Sequence, residues 1–149
     1  MAEVEFAKHP YFSLVKDKLT PNEIDNIIRA EIPDPSSDKE LHDIIVKNMI
    51  HGPCGSDNTD FPCMKDEKCT KEFPRKLQKE NVLNGNGYPQ YQNRSLVDED
   101  QTVTVKFRNT DYTTVDNSWV VSYSTILTKM FNAYINVEDC SSVREIKYI

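Results

Sequence analysis

The sequence predicts an α+β fold: a single small domain, 1–149, with a short antiparallel or mixed sheet, flanking helices and one irregular segment. Two helix-start signatures, Thr20-Pro21-Asn22-Glu23 and Ser37-Asp38-Lys39-Glu40, each precede apolar residues at helical spacing. Thr102-Val103-Thr104-Val105-Lys106-Phe107 alternates polar and apolar residues, as a half-buried strand does. From His51 to about Val97 the apolar period disappears, and prolines, charges and the Asn-Gly pairs at 84–85 and 86–87 take over. A chain of 149 residues suits one domain, which at this size hides roughly two-thirds of its unfolded surface.

Taken in order, Pro21 at the first helical position with Ile24, Ile27 and Ile28 behind it predicts a short amphipathic helix near 21–31. Pro33 and Pro35 end it. The second signature opens a helix through Leu41, Ile44 and Ile45 that runs to about Met49. After the strand near 102–107, Trp119-Val120-Val121 reads as a short buried strand or turn. Residues 124–131 suit a helix with Ile126, Leu127 and Met130 on one face, and the β-branched and aromatic run Tyr134-Ile135-Asn136-Val137 suits a strand. Ser142-Val143-Arg144-Glu145 opens a last helix, which reads as truncated because it has only about two turns before Ile149.

Composition narrows the partners. No stretch approaches the roughly 18 apolar residues a membrane span requires, and Met1-Ala-Glu-Val-Glu lacks the basic and apolar regions of a secretory signal. An intracellular protein, nuclear or cytoplasmic and without a membrane, is the expectation. In a reducing compartment four cysteines point to thiols or metal ligands rather than disulfides, and Asn93-Arg94-Ser95 is then a chance glycosylation acceptor. With 24 acidic against 18 basic residues the net charge is −6, so binding to a polyanion needs a local basic patch. The densest basic stretch holds Lys65, Lys68, Lys71, Arg75, Lys76 and Lys79, although such runs are also ordinary solvated surface.

That stretch overlaps the pattern His51-x2-Cys54-x8-Cys63-x5-Cys69. Zn²⁺ favours tetrahedral nitrogen and sulfur ligands, and four protein ligands leave no open position, so the expected site is structural rather than catalytic. A metal clip also orders a segment with no apolar period, here about 50–75, because ligand binding energy becomes folding energy. Two alternatives stay open: unrelated thiols beside a surface histidine, or Cys140 as fourth ligand in place of His51. His42, on the second helix, reads as a surface histidine.

Several segments taken together resemble the Helitron transposase replication-initiator (Rep) domain, a nuclease of the His-hydrophobic-His class. They are Ala30-Glu-Ile-Pro-Asp-Pro35, Met49-Ile-His-Gly-Pro-Cys54, Pro62-Cys-Met-Lys-Asp66, Lys68-Cys69, Phe73-Pro74 and Asn86-Gly-Tyr-Pro89. Asp116-Asn117, Trp119-Val-Val121, Asn132-Ala-Tyr-Ile-Asn-Val-Glu138 and Cys140 to Ile149 follow in the same order. The resemblance implies a domain whose metal motif lies on a strand and whose later helix carries two tyrosines four positions apart that attack a DNA phosphate. Against that motif this chain offers His9 and then Tyr11, and Tyr148 alone matches the first tyrosine. It therefore implies a partial domain without the upstream half or the helicase, and a vestigial Tyr148 rather than a catalytic residue.

The leading expectation is a catalytically inactive, zinc-containing binding module. Single-stranded DNA is its inherited ligand, with phosphates on Lys65, Lys68, Lys71, Arg75 and Lys76 and bases stacked on Phe73, Tyr88 and Tyr91. The first alternative is a domesticated protein-interaction module, motivated by the acidic charge, with an unidentified protein as its partner. The second is a residual tyrosine nuclease.

Overall fold

The computed structural model describes residues 21–52, 54–55, 58–83, 89–95, 101–106 and 112–139. Three helices, α1 (Pro21–Ile27), α2 (Lys39–Asn48) and α3 (Thr125–Phe131), accompany six strands. The strands are β1 (Met64–Lys65), β2 (Lys68–Cys69), β3 (Val82–Leu83), β4 (Pro89–Gln90), β5 (Val103–Lys106) and β6 (Tyr112–Val115). Among the described residues they form three antiparallel two-stranded ladders, β1–β2, β3–β4 and β5–β6, giving a small α+β domain. No helix among them is long and apolar enough to cross a membrane.

Helix α2 follows from its sequence. Leu41, Ile44 and Ile45 are buried on one face, and the Asp38 carboxylate accepts the Leu41 N–H at 3.1 Å. Asp38, not Ser37, is thus the cap. The Ser37 hydroxyl instead donates to Asp34 at 3.0 Å, in a turn that the Asp34 side chain organises before the helix begins. Helix α1 stops earlier than its apolar spacing suggests, because Arg29 exchanges two 2.8 Å backbone hydrogen bonds with Tyr123. That pairing draws the chain out of helical geometry and into extended contact with a segment some ninety positions away.

Two apolar clusters make the core. The larger joins Ile32, Leu41, Ile45 and Met49 to Cys54, Phe73, Val120, Val121 and Tyr123; the smaller joins Ile24, Ile28 and Ala30 to Tyr91. Phe73 and Tyr91, expected to stack on bases, are 8% and 4% exposed and serve the core instead. Polar groups join the two halves of the sequence. The buried Asn117 accepts the Ile32 N–H through Oδ1 at 2.7 Å and donates through Nδ2 to the Arg94 carbonyl at 3.2 Å. The Arg94 guanidinium grips the Glu31 carboxylate through Nε at 2.8 Å and Nη2 at 2.7 Å.

The C-terminal part departs most from expectation. Helix α3 forms, but Ile126 and Met130 are 72% and 67% exposed while Thr128 is its buried residue. Lys129 fixes the helix against α2 through Asp38 at 2.6 Å, and Asn132 closes it in left-handed conformation, which asparagine tolerates well. Residues 134–137 are not a strand; Val137 donates to the Ser122 carbonyl at 3.0 Å and packs on the smaller cluster. Trp119 ends a 3₁₀ turn, Asn117–Trp119, and Val120 pairs with Ile50. Thr20, the Asn-Gly pairs at 84–87, Tyr88, Cys140, His9, Tyr11, Tyr148 and the helix opened by Ser142 lie outside the described residues.

Candidate metal centre

Three local devices set the four ligands. Residues 49–51 run antiparallel to 119–121: Val121 donates to the Met49 carbonyl at 2.9 Å and His51 donates to the Trp119 carbonyl at 2.8 Å. Buried backbone pairing therefore fixes where His51 leaves the core. Cys54, itself buried, precedes Gly55, whose φ of +134° is a conformation that side-chain-bearing residues rarely adopt. Cys63 precedes the β1–β2 hairpin and Cys69 ends it; in the hairpin Met64 pairs with Cys69 and Lys65 with Lys68. The hairpin's two-residue connection, Asp66-Glu67, has φ of 51° and 63°, the positive values a type I′ turn requires. Thr70 closes the loop by donating its N–H to the Cys63 carbonyl at 2.8 Å and its hydroxyl to the same oxygen at 2.9 Å.

These devices bring four donor atoms, one each from His51, Cys54, Cys63 and Cys69, within 4.8 Å of one another. His51 Nε2 lies 3.4 Å from Cys54 Sγ and 3.5 Å from Cys69 Sγ. Around a tetrahedral ion with zinc-like bond lengths, a nitrogen and a sulfur sit about 3.5 Å apart. The cluster is close enough to hold a metal ion, and its donor set is compatible with zinc. It is the only group of this kind among the described residues, and it contains all four sequence-predicted ligands.

The electrostatics favour a neutral imidazole but strengthen the hold of two of the thiols on their protons. Burial, followed by the nearby Arg75 and Lys71 cations, pushes the His51 pKa down and favours the neutral imidazole that binds metals. Burial, reinforced by the neighbouring Cys63 and Cys69 thiols, pushes Cys54 up to about 12, and burial also raises Cys63. Burial acts upward on Cys69 too, but backbone N–H groups of Phe73 and Lys71 outweigh it and bring this thiol below its ordinary value. The Lys71 N–H lies 3.4 Å from Cys69 Sγ.

No family model and no curated protein matches the chain.

Metal loading must displace thiol protons. Cys54 and Cys63 hold theirs more tightly than free thiols do, so each releases one on binding, whereas the depressed His51 has little to release near neutrality. Apparent affinity should thus climb with pH by at least about two log units per pH unit, with Cys69 adding to the slope wherever it is still a thiol, and acidification from about pH 7 to about pH 6 should weaken it at least about a hundredfold. Competition against a chromophoric chelator across that range checks the slope; a flat profile contradicts thiolate ligation.

The predicted phosphate contacts differ in their surroundings. Lys65, Lys68, Lys71 and Lys76 are exposed. The hairpin tip that carries Lys65 and Lys68 also carries the exposed Asp66 and Glu67, which dilute its charge. Arg75 is half-buried, lies 4.9 Å over the Phe73 ring and pairs with Glu138 at 3.7 Å. Sequence reading missed the part Phe73 plays here: its ring stacks on His51 with centroids 4.2 Å apart and an interplanar angle of 15°. The only signal for it was an aromatic residue four positions after Cys69.

Proposed function

We propose that this protein is a zinc-containing binding module without catalytic activity, derived from a Helitron Rep domain, with single-stranded DNA as its inherited ligand. The observation that carries the metal half of this reading is the convergence of His51, Cys54, Cys63 and Cys69 within 4.8 Å. Three thiolates and an imidazole suit Zn²⁺, and four protein ligands leave no vacancy for water or a phosphate oxygen, so the ion would be structural. The DNA half is supported by the segments that resemble the Rep domain and by the exposed cations beside the centre.

Any DNA binding would rest on Lys71, Arg75 and Lys76, joined by Lys65 and Lys68, within an acidic chain. Three to five phosphate contacts on a single strand give a slope of log affinity against log salt between about −2 and about −3.5. Fluorescence anisotropy with a labelled oligonucleotide should return weak, sequence-independent binding with that slope, removed by Lys71→Glu with Arg75→Glu. Tight binding that survives high salt contradicts the reading. With Mn²⁺ present, the same oligonucleotide should be neither nicked nor captured covalently, because His9 and Tyr11 stand where the resemblance calls for two metal-binding histidines. A metal-dependent adduct lost in Tyr148→Phe would restore the tyrosine-nuclease alternative.

One observation favours a second reading, a protein-interaction module. Ile126, Met130, Phe131 and Tyr134 expose large apolar surface on α3 and the turn after it. Exposed apolar groups in one short segment suit a protein partner better than a phosphate backbone. Loss of DNA binding in the absence of any effect on a cellular role would favour it.

A further inference from the structure

We propose that Phe73 is a positioning residue for the metal centre, holding the His51 imidazole so that Nε2 faces the three thiols; this rests on reading the cluster as a metal site. A metal-bound histidine is ordinarily oriented by a hydrogen bond from its second ring nitrogen to a carboxylate or carbonyl, and that outer contact tunes affinity. Here the ring's polar contacts among the described residues both use Nε2, to Cys54 Sγ at 3.4 Å and Cys69 Sγ at 3.5 Å. No hydrogen bond at Nδ1 among those residues takes the orienting role. What lies against the imidazole is the Phe73 ring, nearly parallel at 15° and 4.2 Å between centroids.

The geometry makes Phe73 a suitable clamp. Its ring is 8% exposed and belongs to the main apolar cluster, so its own orientation is fixed by core packing. It leaves the same tight turn that presents Cys69: Glu72 donates to the Cys69 carbonyl at 3.0 Å and adopts φ of 59°, turning the chain so that Phe73 enters the core. Farther along, Arg75 is anchored by its N–H to the Ser118 carbonyl at 2.8 Å while its guanidinium covers the Phe73 ring. One turn therefore supplies a thiol ligand and the surface against which the histidine ligand rests. A packed ring restricts rotation of the imidazole about its side-chain torsions without competing for its nitrogen, which is how a stacked aromatic can replace an outer-sphere hydrogen bond.

The test compares wild type, Phe73→Leu, Phe73→Tyr, His51→Cys and the double variant His51→Cys/Phe73→Leu. Zinc affinity is read by chelator competition, and ligand geometry by the d–d absorption of the Co²⁺-loaded protein. Phe73→Leu keeps apolar bulk but removes the flat face; it should weaken zinc binding about tenfold to a hundredfold and shift the Co²⁺ bands. Phe73→Tyr keeps the face and should restore both. In the His51→Cys background there is no imidazole to hold, so Phe73→Leu should change affinity by no more than about twofold. Equal losses in both backgrounds, equal losses in Phe73→Leu and Phe73→Tyr, or an unchanged affinity and spectrum in Phe73→Leu would each overturn the proposal while leaving the metal site standing. Wild-type protein that takes up neither Zn²⁺ nor Co²⁺ would overturn the metal reading and this proposal together.

Discussion

Removing the proposed zinc is expected to unfold residues 50–75 and to loosen the core beneath them. Structural zinc sites contribute apparent binding free energies of about 10–16 kcal/mol near neutral pH, comparable to or larger than the whole stability of an ordinary domain at about 5–15 kcal/mol. In this chain the segment has only a short hairpin of its own and is otherwise held at its two ends, by the pairing of His51 with Trp119 and by the buried Phe73. Its ladder is two residues long on each side, and its turn places Asp66 and Glu67, neither a glycine, at positive φ. Cys54 and Phe73 belong to the main cluster, and Cys63 and Cys69 pack against it, so loss of the proposed ion should reach Met49, Val120 and Tyr123. Hydrogen exchange with and without a strong chelator should show protection lost across 50–75 and weakened at 119–123. Trp119, the single tryptophan, accepts the His51 N–H through its carbonyl and should report the change in fluorescence. Unchanged exchange in chelator would mean that backbone pairing alone orders the segment.

Asn117→Ala should be strongly destabilising although it lies outside the His51, Cys54, Cys63 and Cys69 cluster. The side chain is buried and satisfies two backbone groups from different parts of the chain, the Ile32 N–H and the Arg94 carbonyl. Truncation removes the acceptor of the buried Ile32 N–H, at a cost of about 1–3 kcal/mol for an unsatisfied buried group, and the contact to the Arg94 carbonyl with it. Asn117→Asp retains an acceptor for Ile32 but loses the donor to Arg94 and buries a charge, so it should not rescue stability. Urea unfolding of the zinc-loaded protein measures both variants. A loss below about 1 kcal/mol for Asn117→Ala would mean that water or a shifted backbone replaces the side chain.

The parts of the molecule legible in the sequence are those governed by local chemistry. Four soft or borderline ligands within 19 residues announced the cluster, because thiols and imidazole have few other reasons to gather in a segment without apolar period. Helix α2 was legible from Leu41, Ile44 and Ile45, although the cap fell on Asp38 once Ser37 was engaged by Asp34. What was not legible depends on distant partners. The early end of α1 follows from Arg29 pairing with Tyr123, and the position of His51 follows from pairing with Trp119. Helix α3 inverted its expected pattern, burying Thr128 and exposing Ile126 and Met130, because its packing face is set by contact with α2 and by the Lys129–Asp38 ion pair. Phe73 and Tyr91 read as aromatics within a polar segment, and only the tertiary fold assigns them to the core.

Metal stoichiometry tests the central claim most directly. Native mass spectrometry and elemental analysis of the purified chain should give one zinc per molecule, with Cys63→Ser losing it and Cys140→Ser retaining it. Absence of stoichiometric metal from the wild-type protein, or full zinc in Cys63→Ser, would contradict a centre built from His51, Cys54, Cys63 and Cys69.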